Sequence, residues 1–263
     1  MDRVVPGLLL AGFWLLLLFK GSALLFSVVI LAVIFMAANE YLRMAAAGLI
    51  GKKERYFLNL VLMFPALAVT INSTQQYLAP ALLASFFVLT GYFLYRYAKF
   101  EQPYAFFARL LFGVFYIGFL SSYLLLVRAL PDGNYWLIVA SAITAGADSG
   151  GYFVGCSIGK HKLCPNVSPK KTIEGALGGL VFALIAAFVG AHFLLPEVSP
   201  WFLALGTVVL TAAGVAGDLT ESIIKRGTGT KDSGTCLGGH GGILDRIDSL
   251  LFALPVLYTV LTF

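Results

Sequence analysis

Ser22-Ala-Leu-Leu-Phe-Ser-Val-Val-Ile-Leu-Ala-Val-Ile-Phe-Met-Ala-Ala-Asn39 carries no charged side chain over its whole length. A run of this kind is a candidate transmembrane helix. Its apolar residues are continuous rather than alternating, which favours a helix over a barrel strand. Lipid offers no partners to backbone N–H and C=O groups, so a spanning segment must satisfy them internally, as a helix does. The rest of the chain has the same character. Of 263 residues, 59% are hydrophobic and only 12% charged, against roughly 25% charged in an ordinary soluble domain. Mean hydropathy is +0.89. A water-soluble globule of this size could not hide so much apolar surface. The fold class expected is all-α: a polytopic integral membrane protein.

Short polar breaks divide the apolar sequence into about nine transmembrane helices, at roughly 6–19, 22–39, 57–72, 79–97, 104–127, 134–157, 175–195, 201–224 and 243–262. Leu8–Phe19 has the length of a signal-peptide core, but Gly21 and Ser22 lead straight into another apolar segment, with no small-x-small cleavage site before a polar region. A retained helix pair is expected. No soluble domain fits between spans, so residues 1–263 are expected to form a single membrane domain. Cys156, Cys164 and Cys236 form no CxxC pair and are assigned no redox role.

Basic residues are sided. Lys52, Lys53 and Arg55, then Arg96 and Lys99, then Lys160, Lys162, Lys170 and Lys171, then Lys225, Arg226 and Lys231 fall in alternate breaks, while the intervening breaks hold little. The positive-inside rule makes those breaks cytoplasmic, with the N-terminus inside and the C-terminus outside a cytoplasmic (inner) membrane. The net charge of +5 is therefore assigned to topology and to anionic headgroups and phosphates, not to a nucleic-acid partner. Glu40 and Arg43 are expected to pair at a helix end, and the many Phe and Tyr to face lipid or the interface.

Chemistry-bearing residues gather in about residues 140–263, around the cytoplasmic-side loops 158–174 and 225–242. Asp148, Asp218, Asp245 and Asp248 lie in or at the ends of apolar helices, where an unpaired charge is expensive. Asp245 and Asp248 share a helix face at i,i+3, and Asp218, Glu221, Ser222 and Lys225 share another. Convergent carboxylates near an interface suit Mg²⁺, which takes one or two of them and fills its shell with water and substrate phosphate. Spacing alone fits structural salt bridges to Arg246, Arg226 and the lysines equally well. Ser168-Pro-Lys170-Lys171-Thr172 precedes a helix N-terminus and could cradle phosphate. His240 sits among four glycines that would let backbone approach a ligand; a phosphate contact is favoured, with acid/base or turn roles open. Gly146/Gly150, Gly151/Gly155/Gly159 and Gly175/Gly179 have the small-xxx-small spacing of tight helix packing.

These residues resemble a known family. Ser222-Ile-Ile-Lys225-Arg226, four residues, then Lys231-Asp232-Ser-Gly-Thr-Cys-Leu-Gly-Gly-His240-Gly-Gly-Ile-Leu-Asp245-Arg246-Ile-Asp248 is similar to the signature of phosphatidate cytidylyltransferases, the CDP-diacylglycerol synthases. Asp148-Ser-Gly-Gly-Tyr-Phe and Gly-Lys160-His-Lys-Leu…Ser168-Pro-Lys-Lys-Thr172-Ile-Glu-Gly fit it in order. Thr235, Cys236 and Gly238 depart from common family residues in the loop. The resemblance implies the reaction CTP + phosphatidic acid → CDP-diacylglycerol + pyrophosphate within a lipid bilayer. It implies Mg²⁺ on Asp218 and Asp245, with Asp248 and Asp148 as further ligands or their partners, and leaves open a second cation. Lys170, Lys171, Lys225, Arg226 and Lys231 would grip phosphates, and Ser168 and Thr172 would donate to them. His240, Ser222, Asp232 and Arg246 belong to the same candidate set. The alternatives are a cation-coupled membrane transporter, against which no paired repeat is visible, and an enzyme using a finished CDP-lipid. Oligomeric state, a homodimer included, is left open.

Overall fold

The computed structural model describes residues 4–71, 73–234 and 241–262. His240 and Cys236 lie outside the described residues. The helices run α1 (Val4–Lys20), α2 (Ala23–Ala45), α3 (Lys52–Val69), α4 (Leu78–Arg96) and α5 (Pro103–Gly113). A π-helical stretch, Val114–Phe119, leads on to α6 (Leu120–Ala129), then α7 (Gly133–Ile158). Strands β1 (Lys162–Cys164) and β2 (Ser168–Thr172) precede α8 (Ile173–Leu194), α9 (Pro200–Gly227) and α10 (Leu244–Thr262). Every expected span falls on a helical segment, with α5, the π-helical stretch and α6 forming one of them. Six segments among the described residues are long and apolar enough to cross a membrane. Leu177, Phe193, Phe87 and Leu8 stay exposed, as lipid-facing side chains do. The protein is an all-α membrane protein.

Contacts gather the chain into two compact units: Met1–Ala129 with Gly227–Arg246, and Leu130–Arg226 with Ile247–Phe263. In the first unit α3 packs against α2, α4 and the π-helical stretch, and its Leu58, Leu62 and Ala66 are fully buried. Polar groups inside it bond to backbone carbonyls. Asn59 donates to Phe35 O (3.1 Å), Ser85 to Val61 O (3.2 Å) and the Tyr41 hydroxyl to Arg109 O (2.6 Å). Phe93, Phe100 and Phe106 are buried in an internal aromatic cluster. These rings were expected at the lipid face, and instead they fill space where α4 meets the start of α5.

The second unit is built on α7 and α8, which run antiparallel because the β1–β2 hairpin turns the chain back. The hairpin occupies the region expected to be a loop. Strand pairing of Lys162 with Thr172 and Cys164 with Ser168 satisfies backbone groups that a loop would leave to water. Glu174 closes its base, accepting from the Lys160 and His161 backbone N–H groups (3.1 and 3.2 Å) and approaching His161 Nδ1 at 2.5 Å. The small-residue spacings hold α7 to α8. A Cβ on Gly175 would lie 2.8 Å from Gly151 O, and one on Gly179 would lie 2.6 Å from Ala147 O. Only hydrogen at these positions allows the two backbones to touch.

Candidate functional site

Close backbone approach at the end of α7 and α8 leaves a cavity of about 350 Å³ beside it, inside the second unit. Asp148 and Gly151 come from α7, Lys170, Lys171 and Thr172 from β2, Gly175 from α8, and Thr211 and Asp218 from α9. Tyr152, Leu163 and Val215 add apolar wall. The lining thus combines charged side chains with apolar wall and bare backbone. Thr172 is the N-cap of α8: its Oγ1 accepts from Gly175 N–H at 3.1 Å. That bond fixes where β2 ends and α8 begins, and it leaves the threonine proton to donate. Lys171 forms an ion pair with Asp218. The lysine expected to grip phosphate therefore neutralises the aspartate expected to hold metal.

Asp248 adds a carboxylate to those of Asp148 and Asp218. Gly217 sets it, since a Cβ there would collide with Asp248 O, so α9 and α10 meet backbone to backbone one residue from Asp218. Asp248 is buried, accepts from Ser249 N–H at 2.6 Å, and interacts electrostatically with Asp218, Asp148 and Lys225. Lys225 in turn forms an i,i+4 ion pair with buried Glu221. Ser222, beside it on α9, is half-buried, and Arg226 is exposed at the helix end. Ser168 lies on β2 opposite Cys164 and outside the cavity lining.

The remaining expected residues belong to the first unit. Lys231, Asp232 and Arg246 are exposed. Asp245, in the first turn of α10, accepts at Oδ2 from Gly242 N–H (2.8 Å), the Ser233 hydroxyl (2.8 Å) and Ser233 N–H (3.1 Å). Glu40 does not serve as the end-of-helix partner of Arg43. It is 3% exposed and accepts from Ile243 N–H (3.1 Å), Leu244 N–H (2.9 Å) and the Ser233 hydroxyl (3.3 Å). Three other contributors were not named as site residues from the sequence. Glu221 was visible as the i−4 neighbour of Lys225. Glu174 lay inside a quoted motif. Thr211 gave no signal at all: it is a threonine in an apolar helix, yet its Oγ1 is buried without a hydrogen-bond partner and the residue lines the cavity.

Among the described residues, no group of three or more His, Cys, Asp or Glu side chains forms a ready metal cage. Magnesium does not require one, because it binds through one or two carboxylates and completes its shell with water and phosphate. Asp218 and Asp148, which line the cavity, and Asp248, which feels the charge of both, are donors of the right hardness.

The profile of the cytidylyltransferase family matches residues 1–263. The phosphatidate cytidylyltransferase of Staphylococcus haemolyticus is 38% identical over 94% of this chain and 92% of its own. That of Staphylococcus saprophyticus is 38% identical over 77% of this chain and 75% of its own. The Bacillus subtilis enzyme of that name is 36% identical over 99% and 97% respectively.

Proposed function

The chain belongs to the cytidylyltransferase family, and from that premise we propose that it transfers the cytidylyl group of CTP to phosphatidic acid, giving CDP-diacylglycerol and pyrophosphate. The observation that carries this reading is one cavity lined both by Lys170, Lys171, Asp148 and Asp218 and by apolar side chains. Such a lining suits a molecule that is a phosphate at one end and hydrocarbon at the other. A lipid phosphate oxygen bonds to the α-phosphorus of CTP as the bond from that phosphorus to the β-phosphate bridging oxygen breaks. Both reactants are anions, so charge neutralisation and alignment dominate. The second ionisation of a phosphate monoester lies near a pKa of about 6, so the nucleophile is already anionic at neutral pH and no side chain need remove a proton.

Lys170 and Lys171 would hold phosphate oxygens, with Lys171 leaving Asp218 to do so. Thr172, whose oxygen already accepts from Gly175, would donate its proton to a phosphate oxygen. Mg²⁺ would be held by Asp218 with Asp248 or Asp148, and the sequence signature adds Asp245 to the candidates. When bound, it supplies positive charge to the phosphates, and a second cation would extend that role. Lys225, Arg226 and Lys231 are proposed to contact the triphosphate, and the site is proposed to face the cytoplasm. The transporter alternative gains no support from the relatives. The test uses purified protein in lipid–detergent micelles with CTP labelled at the α-phosphate, Mg²⁺ and phosphatidic acid. Labelled CDP-diacylglycerol and stoichiometric pyrophosphate are expected; absence of both would end the enzyme reading.

A further inference from the structure

A buried acid of the first unit has no place in the chemistry just described. Glu40 lies near the end of α2, after a long apolar run, and is almost wholly excluded from solvent. Its partners among the described residues are backbone N–H groups and a hydroxyl, not cations. Ile243 and Leu244 donate their N–H groups at 3.1 and 2.9 Å, at the N-terminus of α10, where helix geometry leaves such donors without intrahelical acceptors. The negative group also complements the positive end of that helix. The backbone on both sides of the loop is fitted around it. A Cβ on Gly234 would lie 2.5 Å from Glu40 Oε1, and one on Gly242 would collide with Glu40 Oε2 and Ser233 Oγ.

Ser233 joins this acid to Asp245. Its hydroxyl has one proton and two acceptors, Asp245 Oδ2 at 2.8 Å and Glu40 Oε2 at 3.3 Å. The shorter bond goes to Asp245, which also takes Ser233 N–H and Gly242 N–H. Glu40 therefore grips residues 243 and 244 on one side of the Asp245 carboxylate and packs against Ser233 on the other.

We propose that Glu40 is a positioning residue that fixes the Asp245 carboxylate through the α10 N-terminus and Ser233. The proposal rests on the reading of Asp245 as a contributor to the Mg²⁺-dependent reaction. Groups that orient a ligating carboxylate typically affect metal affinity or activity by about 10- to 100-fold when removed.

Full-length Glu40→Gln, Ser233→Ala and Asp245→Asn proteins would be compared for the Mg²⁺ concentration giving half-maximal turnover and, without metal or nucleotide, for amide hydrogen exchange in peptides covering 241–246. Glu40→Gln keeps the shape but replaces one acceptor oxygen with a donor. It should raise the half-maximal Mg²⁺ concentration by about tenfold or more and speed exchange at 243 and 244, while α3 and the π-helical stretch exchange as before. Ser233→Ala, which leaves the Glu40 bonds to the backbone, should raise the Mg²⁺ requirement with little change in exchange at 243 and 244. Wild-type Mg²⁺ dependence in Glu40→Gln, with Asp245→Asn inactive, overturns the proposal alone. Faster exchange throughout the first unit would also overturn it, since Glu40 would then be a general structural acid. Wild-type turnover in Asp245→Asn would instead overturn the reading on which it rests.

Discussion

Two pairs of carboxylates, one pair in each unit, are held differently. In the first, Glu40 and Asp245 are satisfied mainly by backbone N–H groups and one serine hydroxyl. In the second, Asp218 and Glu221 form ion pairs with lysines. Backbone donors are fixed by the fold and cannot leave. A lysine side chain has four carbons of reach and exchanges partners readily. The packing differs in the same sense, with large aliphatic and aromatic side chains filling the first unit and glycine backbones touching in the second. An acid held by the backbone orders its surroundings, whereas an acid held by a lysine beside a cavity can be released to a cation when phosphate takes the lysine away.

The sharpest break of this contrast is Asp218→Asn. Removing that charge should reduce turnover by about 100-fold or more, the scale seen when one transition-state electrostatic partner is lost, while thermal unfolding followed by fluorescence stays near wild type. A variant that unfolds would make Asp218 a structural acid instead. Next in size is Gly179→Leu. The Cβ alone would lie 2.6 Å from Ala147 O, so α7 and α8 must part, costing about 1–3 kcal/mol. Lower thermal stability, with turnover lost at temperatures where wild type works, is the outcome to measure. Thr211→Val should be milder. It removes a buried hydroxyl that lacks a protein partner, and leaving such a group unsatisfied costs about 1–3 kcal/mol. Unfolding temperature should hold or rise, while KM for phosphatidic acid rises several-fold. An unchanged KM would remove Thr211 from the site.

The same contrast explains what was legible in the sequence. Apolar runs such as 22–39 and 175–195 locate helices because burial in lipid needs no long-range partner. The α7–α8 contact was legible as well, because the Gly151/Gly155/Gly159 and Gly175/Gly179 spacings are local to each helix. Asp148, Lys170, Lys171, Thr172 and Asp218 were named from motifs and do line one cavity. Pairing with lysines was weighed, but which lysine meets which acid depends on how the hairpin folds back. The hairpin itself was missed because β1 has three residues and too little pattern to register. Glu40 was given to Arg43 because only neighbours in sequence could be weighed. Its actual partners lie 193, 203 and 204 positions away.

Glu54 offers the smallest effect and separates two explanations of the contrast. It stands in the polar first turn of α3, ahead of the apolar part of that helix, and meets Arg96 and Lys99, the latter at 2.7 Å. This is a lysine- and arginine-held acid in the first unit, with no part in the proposed chemistry. Burial acts to raise its pKa, and hydrogen bonds from Lys99, the Gly51 N–H and Arg96 outweigh it, bringing the group from an ordinary 4.5 down to about 2. Because the folded pKa is the lower one, the unfolded chain binds more protons between those values. The contribution to stability is therefore present above pH 4.5 and is lost as pH falls towards 2. Glu54→Gln should flatten the fall of unfolding temperature across that window and leave neutral-pH turnover intact. The size should be modest, since both cations are over a third exposed and solvent screens such pairs. Were Glu54→Gln to cost turnover at neutral pH, cation-held acids would matter wherever they sit, and the cavity beside Asp218 would lose its special standing.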